Sequence, residues 1–485
     1  MDATNNTLPT RIVTLHSGTD VDAFLAEFEL HPKHVYRYAL RGFAAPLDSA
    51  EVERLKKDGR VMAVEMDGRV EIQTPGVKEV IPANQLTNQM VSSGLLRLGL
   101  PSFPLAHMNG QDHRINVDVA VLDTGIQTNH PDLSVFQAVD ATGSGLGGND
   151  WDGHGTHVAG TIGALDNGFG VVGMAPGVRL WSVQVITPGH NGTSDLISGL
   201  DYVAQHADEI SVVNASITAN PGSAVSFTAI QQAVRAIVSR GIVFVACVGN
   251  DAVDVAGTDL LFGNGNDYLP AALPEVMAVS AMDSSDDTFA PFSNYNFFSN
   301  TVRYVDSPGF GIDVSAPGVN ILSTYKGGDY AIMTGTSMSS PHAAGAVALY
   351  VAANGRATNA AGVYSIRQAI VDSGLPQALW RSRPNAFRGT GDPDGNPEPL
   401  LMPSESWYPE PNIVAASMTA GGFEILFRTT PGYSYAVQYR SSLASTNKWV
   451  DLIATNKVGA VSALGVLDPT KDTSRFYRIR RWIEP

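Results

Sequence analysis

The chain of 485 residues contains a single cysteine, Cys247. Intramolecular disulfides are excluded, and so are Cys₂ and Cys₄ zinc sites. Positive charge is scarce: 31 Lys and Arg stand against 47 Asp and Glu, a formal net charge of −16. A chain this acidic repels phosphate backbones, which argues against nucleic acid as a partner. No apolar run reaches the roughly 18–20 residues that span a bilayer, so no transmembrane segment is expected. The start, Met1–Asn6, lacks a basic stretch and an apolar core and reads as carrying no signal peptide. What the chain does have is apolar material, 44% of residues, ample for a large core. The length suggests about three domains.

The pattern changes twice along the chain. Residues 11–73 read as a small α+β unit. Arg11–Leu15 alternates like a strand, and Val21, Phe24, Leu25 and Phe28 recur at helical spacing. Val35–Leu47 looks like a strand pair interrupted at Gly42. Asp48 and Glu51 form a capping box for a second helix, with Leu47 and Val52 as its hydrophobic staple. Val61–Val64 and Val70–Ile72 would be closing strands, which gives the βαββαβ order of ferredoxin-like folds. Thr74–Asn88 shows no periodicity and reads as a linker. From Gln89 to Gly391 short apolar runs alternate with helical patterns. Val117–Leu122, Leu180–Ile186, Ser211–Asn214, Ile242–Val248 and Val276–Ala281 are candidate buried strands. Leu196–Ala207, Val225–Arg240 and Ser337–Ala353 are candidate helices. Gly241 and Gly355 stand where helix C-terminal glycines belong. The alternation implies an α/β fold with a mostly parallel sheet covered on both faces. Residues 392–409 read as a second linker. There Asp392, Asp394, Asn396 and Glu398 alternate somewhat like a calcium loop, but the full spacing is absent and a plain turn is favoured. Residues 410–485 hold alternating strand-like runs that suggest a small antiparallel β-sandwich.

Three segments carry chemistry. VAVLDTG ends an apolar strand in Asp123; DGHGTHVAG opens a helix at His154; TGTSMSSPHAAG puts Ser337 at another helix start. Singly, an Asp is a turn residue, a His a satisfied polar group and a Ser an N-cap. Together, in the order Asp, His, Ser, they fit a known nucleophile arrangement. A fourth segment, FVACVGN, ends a strand in Asn250.

These motifs resemble those of the subtilisin-like serine proteases over about 300 residues. The resemblance implies a three-layer, doubly wound sheet and a catalytic triad of Asp123, His154 and Ser337. It makes Asn250 the side-chain donor of the oxyanion hole, and leaves His157 to local packing. Where the family carries Ser-Leu-Gly-Gly along its substrate groove, this chain has Ser216, Ile217, Thr218 and Ala219. The added Cβ atoms should restrict the groove, favouring small side chains near the scissile bond, and Tyr268 or Leu269 would intrude on the pocket floor. The family's structural Ca²⁺ site carries over to Gln89, Asp132, Leu165, Asn167, Phe169 and Val171. YALRGFAA at 38–45 resembles an inhibitory propeptide that assists folding and is removed by self-cleavage between Gln73 and Gln89. The C-terminal unit resembles small fibronectin-type or immunoglobulin-like modules. The resulting expectation is a secreted, monomeric, calcium-stabilised serine endopeptidase made as a zymogen, with its own propeptide as inhibitor and proteins or peptides as substrates. The competing class is a binding protein on the same scaffold, which Thr218 and Ala219 favour and the intact triad opposes. A dinucleotide-binding oxidoreductase shares the sheet type, but no G-x-G-x-x-G follows a first strand.

Overall fold

The computed structural model describes residues 8–72, 76–219, 227–257, 259–260, 262–297, 311–380, 392–394, 396–407, 413–429, 434–441, 449–455, 463–470 and 475–482. Residues divide into two compact units. One comprises 1–100 and 109–403, the other 101–108 and 404–485.

The first unit begins with the expected α+β element. Strands His34–Tyr36, Gly42–Pro46, Thr10–Leu15 and Val61–Met66 form an antiparallel sheet in that spatial order. Helices Val21–Phe28 and Ser49–Leu55 connect them, and the Asp48–Glu51 capping box is present. Val13, Phe24, Phe43 and Leu55 are buried in its core. Gly42 begins a strand rather than interrupting one. The run Val70–Ile72 does not close this sheet. Glu71–Ile72 pairs instead with Ile217–Thr218, far along the chain.

A larger sheet follows. Its spatial order is Thr288–Phe289, Met277–Asp283, Val243–Cys247, Val212–Ala215, Asp118–Asp123, Arg179–Gln184 and Val135–Asp140, with Val314–Pro317 also on Met277–Asp283. All pairs are parallel except the one to Thr288–Phe289. Asp118–Asp123 lies inside it and is buried throughout, so it reads as a continuous apolar run rather than an alternation. Adjacent residues of that strand face opposite layers. Gly155 of helix His154–Gly163 lies against Asp123, whereas Gly199 of helix Thr193–Gln205 lies near Leu122. Helix His154–Gly163 packs on helix Thr336–Asn354, and Thr193–Gln205 on Phe227–Ser239. Gly241 and Gly355 have positive φ at the helix ends, as expected.

Within the stretch read as a linker, Val77–Ile81 forms an edge strand on Asp329–Met333, which itself pairs with Ile321–Tyr325. Around the second stretch, the Asp394 carboxylate accepts the backbone N–H groups of Asn296 and Asn396, and Gln377 donates to Asp392 and Glu398. Leu400 bridges to Ser315 and Leu375.

The second unit contains two antiparallel three-stranded sheets. One orders Ile413–Thr419, Gly422–Arg428 and Ala463–Asp468; the other Val450–Thr455, Ser434–Arg440 and Phe476–Trp482. The runs Gly422–Arg428, Ser434–Tyr439, Trp449–Ile453 and Arg475–Arg480 read as strands in the sequence and match strands here, whereas Ile413–Thr419 and Ala463–Asp468 carry no such reading. Phe103, from the 101–108 segment, meets Trp407 edge-on at 5.7 Å. Among the described residues no helix is long and apolar enough to cross a membrane.

Candidate active site

The site is built at the carboxyl end of strand Asp118–Asp123, where open parallel sheets leave a crevice. Asp123 is the strand's last residue. Its Oδ1 accepts the Thr124 N–H at 2.7 Å and lies 2.7 Å from His154 Nδ1. Gly155 follows His154 because nothing larger fits: a Cβ there would collide with the Gly125 carbonyl oxygen. Thr124 Oγ1 donates to Asp150, and Asp150 caps the His154 helix through Thr156 N–H and Oγ–H. The imidazole is therefore fixed in position before any ligand arrives.

Asp123 and His154 are fully buried. Burial opposes charge on the imidazole, but the Asp123 carboxylate outweighs it, and the pKa of His154 is raised above the ordinary value. Among the described residues His154 Nε2 has no hydrogen-bond partner. His157, one turn on, behaves as expected from the sequence. Its Nε2 lies 3.0 Å from Ile321 O and 3.1 Å from Ala331 O, and burial lowers its pKa to about 3.

Ser337 is the second residue of helix Thr336–Asn354. Gly335 precedes it with φ 151°, a conformation glycine favours. The Ser337 hydroxyl donates to Ser216 O at 3.0 Å, and Ser216 Oγ donates back to Ser337 O at 3.0 Å. Asn250 Oδ1 accepts both the N–H and the hydroxyl of Thr336, each at 2.9 Å. This ties the carbonyl end of the Asn250 amide to the residue before Ser337. Cys247 lies beneath, its thiol pushed up to about 12 by burial. Sequence reasoning did not single out that contact.

Ser216, Ile217, Thr218 and Ala219 are all buried. Ile72 lies opposite Ile217 and Glu71 opposite Thr218. Thr218 thus leaves the main-chain ladder intact. Ala219 N–H donates to Leu269 O at 2.7 Å. On the other side of the same segment, Val70 N–H donates to Asn191 O at 2.8 Å and Thr193 N–H to Gly68 O at 3.0 Å. Residues 68–72 are the middle strand between two segments of the larger domain, and Val70 is fully buried there.

The α+β element is docked by polar contacts missed at the sequence level. Glu65 accepts the N–H groups of Thr228 and Ala229 at the start of helix Phe227–Ser239, each at 3.0 Å. Asp67 does the same for Ser194 at 2.8 Å, at the start of helix Thr193–Gln205. Carboxylates suit helix N-termini because N–H groups are unpaired there. In return Asp201 accepts the N–H groups of Arg37, Tyr38 and Ala39. The buried Asp195 pairs with Lys33 at 2.8 Å and His34 at 2.7 Å.

The six residues expected at a calcium site converge on one loop. Asp132 is buried; it accepts from Val171 N–H and the Asn167 amide, each at 2.9 Å. Gln89 Oε1 accepts from Asn167 N–H at 2.9 Å, and Asn167 Oδ1 from Phe169 N–H. Leu165 N–H donates to Asp132 O. Burial raises the Asp132 pKa to about 6, and no cationic side chain pairs with it among the described residues. The Asp132 carboxylate is met by donors, the Val171 N–H, the Asn167 amide and the Tyr330 hydroxyl, and Gln89 Oε1 by the N–H groups of Asn167 and Gly168. Among the described residues no three His, Cys, Asp or Glu side chains are grouped to hold a metal.

Helix His154–Gly163, with its buried carboxylate–imidazole pair, packs on helix Thr336–Asn354, whose second residue is Ser337, and residues 71–72 pair with Ile217–Thr218; these are the parts expected of a serine hydrolase of the subtilisin class. Residues 114–392 match the model of the Subtilase family, and residues 13–73 that of Peptidase inhibitor I9. The chain belongs to the Subtilase family. It is similar to an alkaline protease of Alkalihalobacillus alcalophilus, 36% identical over 304 residues, covering 62% of this chain and 67% of the other. It is 38% identical to subtilisin Savinase of Lederbergia lenta over 262 residues, 54% of this chain and 84% of the relative. Subtilisin E of Bacillus subtilis is 36% identical over 319 residues, covering 65% and 72%. The protein is a subtilisin-like serine endopeptidase made as a zymogen.

Proposed function

We propose that Ser337 is the nucleophile, His154 its general base and Asp123 the group that orients the imidazole. The observation that carries this is the buried 2.7 Å contact of Asp123 with His154 Nδ1, which leaves Nε2 for a substrate-side proton. Ser337 Oγ turns from the Ser216 carbonyl to attack the scissile carbonyl carbon, and its proton passes to Nε2. The resulting oxyanion takes hydrogen bonds from the Ser337 N–H and the Asn250 amide, whose other end Thr336 holds. Nε2 then protonates the leaving amine as the C–N bond breaks. Water enters by the same route in reverse and supplies the hydroxyl of the new carboxylate.

Ser216–Ala219 are read as the edge that binds substrate main chain, with Thr218 and Ala219 narrowing side-chain choice. Residues 1–73 act as the propeptide, with 74–88 joining them to a catalytic domain at 89–391. A joining segment at 392–409 leads to the β-module at 410–485. The propeptide presents 68–72 to the groove as a substrate would, which supports inhibition until self-cleavage just beyond. A folding propeptide also supports secretion, and the enzyme is read as a monomer. Gln89, Asp132, Asn167 and the carbonyls of Leu165, Phe169 and Val171 would hold calcium, which would supply stability and take no part in the chemistry.

Ser337→Ala is the test. Removing the nucleophile of a subtilisin costs about 10⁶-fold in kcat, and a loss of that size is expected for casein hydrolysis. The variant should also stay near 51.3 kDa while the wild type shortens. Undiminished hydrolysis, or maturation of the isolated variant, would overturn the assignment.

A further inference from the structure

Two strand pairings lie on either side of Ser337 along the chain's N-terminal part. Upstream, residues 68–72 are held on both sides, ending with Ile72 opposite Ile217. The next groove residue, Ser216, carries the carbonyl that accepts the Ser337 hydroxyl. Downstream, Val77 lies opposite Met333 and the ladder continues to Ile81 opposite Tyr330. Thr334, Gly335 and Thr336 alone separate Met333 from Ser337. In sequence, residues 73–76 join one pairing to the other. Chain direction puts 68–72 on the acyl side of any bond cut in that bridge. It puts Val77–Ile81 on the leaving-group side.

We propose that Val77–Ile81 stays on the Asp329–Met333 edge after the bridge is cut, as an N-terminal arm that covers the leaving-group side of the enzyme's own groove. The proposal rests on Ser337 being the nucleophile. Hydrolysis in the bridge breaks one peptide bond and no bond of the ladder. The arm is also tethered beyond the strand. Lys78 Nζ donates to Asn320 Oδ1 at 2.7 Å, and Ala83 N–H donates to Asp329 Oδ1 at 3.0 Å. Further on, Gly170 N–H donates to Leu86 O at 3.1 Å, and Met90 N–H to Gly170 O at 2.8 Å. A strand that lets go remains at an effective concentration on the order of millimolar. Its hold is nonetheless shallow, because Val77 is 40% and Val80 46% exposed. Main-chain bonds carry the attachment, and a substrate's own main chain makes the same bonds. Substrates with a long segment beyond the scissile bond must displace the arm; those that end soon after it need not.

The test compares the processed wild type with a Glu79→Pro, Val80→Pro double variant. Two adjacent prolines remove a ladder N–H whichever residue faces the partner. Two quenched peptides are used, identical up to the scissile bond and carrying two or eight residues beyond it. The variant should raise kcat/KM on the long peptide by about threefold or more and leave the short one unchanged. An unchanged ratio of long to short would overturn the arm. Hydrogen exchange on wild-type chain cut in residues 73–76, by itself or by added protease, decides the point even if the variant does not mature. Protected amides at 77–81 support the arm, and free exchange refutes it. Failure to cleave either peptide would instead count against Ser337, and the exchange result would still stand.

Discussion

Asp123, His154 and Ser337 gain their setting from neighbours that are small for steric reasons. Gly155 lies against Gly125, and Gly335 takes a backbone conformation glycine favours. Three buried histidines lie in this region, and their electrostatics separate them. Burial lowers His157 to about 3 and His342 to about 4, so both stay neutral across the working range. His154 alone faces a carboxylate, and its pKa is raised. A general base must be neutral, so activity is lost as pH falls through that raised value. The acid limb of kcat/KM should be a single-proton step on the high side of 6.5. Asp123→Asn removes the counter-charge, so the limb should move to lower pH while the rate drops by about 10⁴-fold. A pH–rate profile of both enzymes checks this; a limb that Asp123→Asn leaves in place would mean another group is titrating. The motifs made these positions legible in the sequence. The contact of Cys247 with Ser337 was not, because the two residues lie 90 apart in sequence and meet only in the fold.

At the level of elements, the sequence carries local patterns clearly and distant pairings hardly at all. Helix starts at His154 and Thr336 and the buried strands matched to within a few residues. The local pattern at Val70–Ile72 points to the N-terminal sheet, because its actual partner Ile217 lies 145 residues away. Val77–Ile81 escaped notice because an exposed edge strand buries too little to stamp a pattern on its residues. Residues 101–108 group with the C-terminal unit although about 300 residues separate them from it in sequence. The capping carboxylates Glu65 and Asp67 gave no local signal either, since the helices they cap belong to another part of the chain. These contacts fix how tightly the propeptide holds. Asp195 is buried and its partners Lys33 and His34 come from the propeptide, so removing them leaves a buried charge unpaired. Such a loss costs about 2 kcal/mol or more, at least about thirtyfold in affinity. Burial alone would raise the Asp195 pKa, but His34 and Lys33 prevail and lower it. The bonus is therefore present above the unfolded carboxylate range and fades as pH falls through the lowered value. Lys33→Ala, His34→Ala propeptide added to processed enzyme should inhibit at least about thirtyfold more weakly near neutral pH, as read from Ki. Equal Ki values would show that the helix-capping carboxylates alone decide docking.

For the whole molecule, the two compact units make the calcium reading testable against an internal control. Gln89, Asp132, Leu165, Asn167, Phe169 and Val171 all belong to the larger unit. Asp132 is buried there with its pKa raised to about 6 by burial, so its charge is costly until something positive offsets it. An ion that binds only the folded form stabilises by RT ln(1 + [L]/Kd), about 2.7 kcal/mol at a hundredfold excess over Kd. At about 2.1 cal/mol/K of unfolding entropy per residue, one kcal/mol moves the midpoint of a unit of roughly 300–400 residues by about 1.2–1.6 °C. Chelation should then lower the melting temperature of the larger unit by about 3–4 °C, by the product of those two figures. The β-module holds none of these residues, so its own transition should stay where it was. Asp132→Asn should abolish the response to added calcium, since it removes the one carboxylate among the six. Differential scanning calorimetry with and without chelator, alongside elemental analysis, separates the cases. A larger unit that melts at the same temperature with no metal bound would mean that the hydrogen bonds from Val171 and Asn167 suffice for Asp132. A shift of both transitions together would point to chelator acting on the whole chain rather than on this loop.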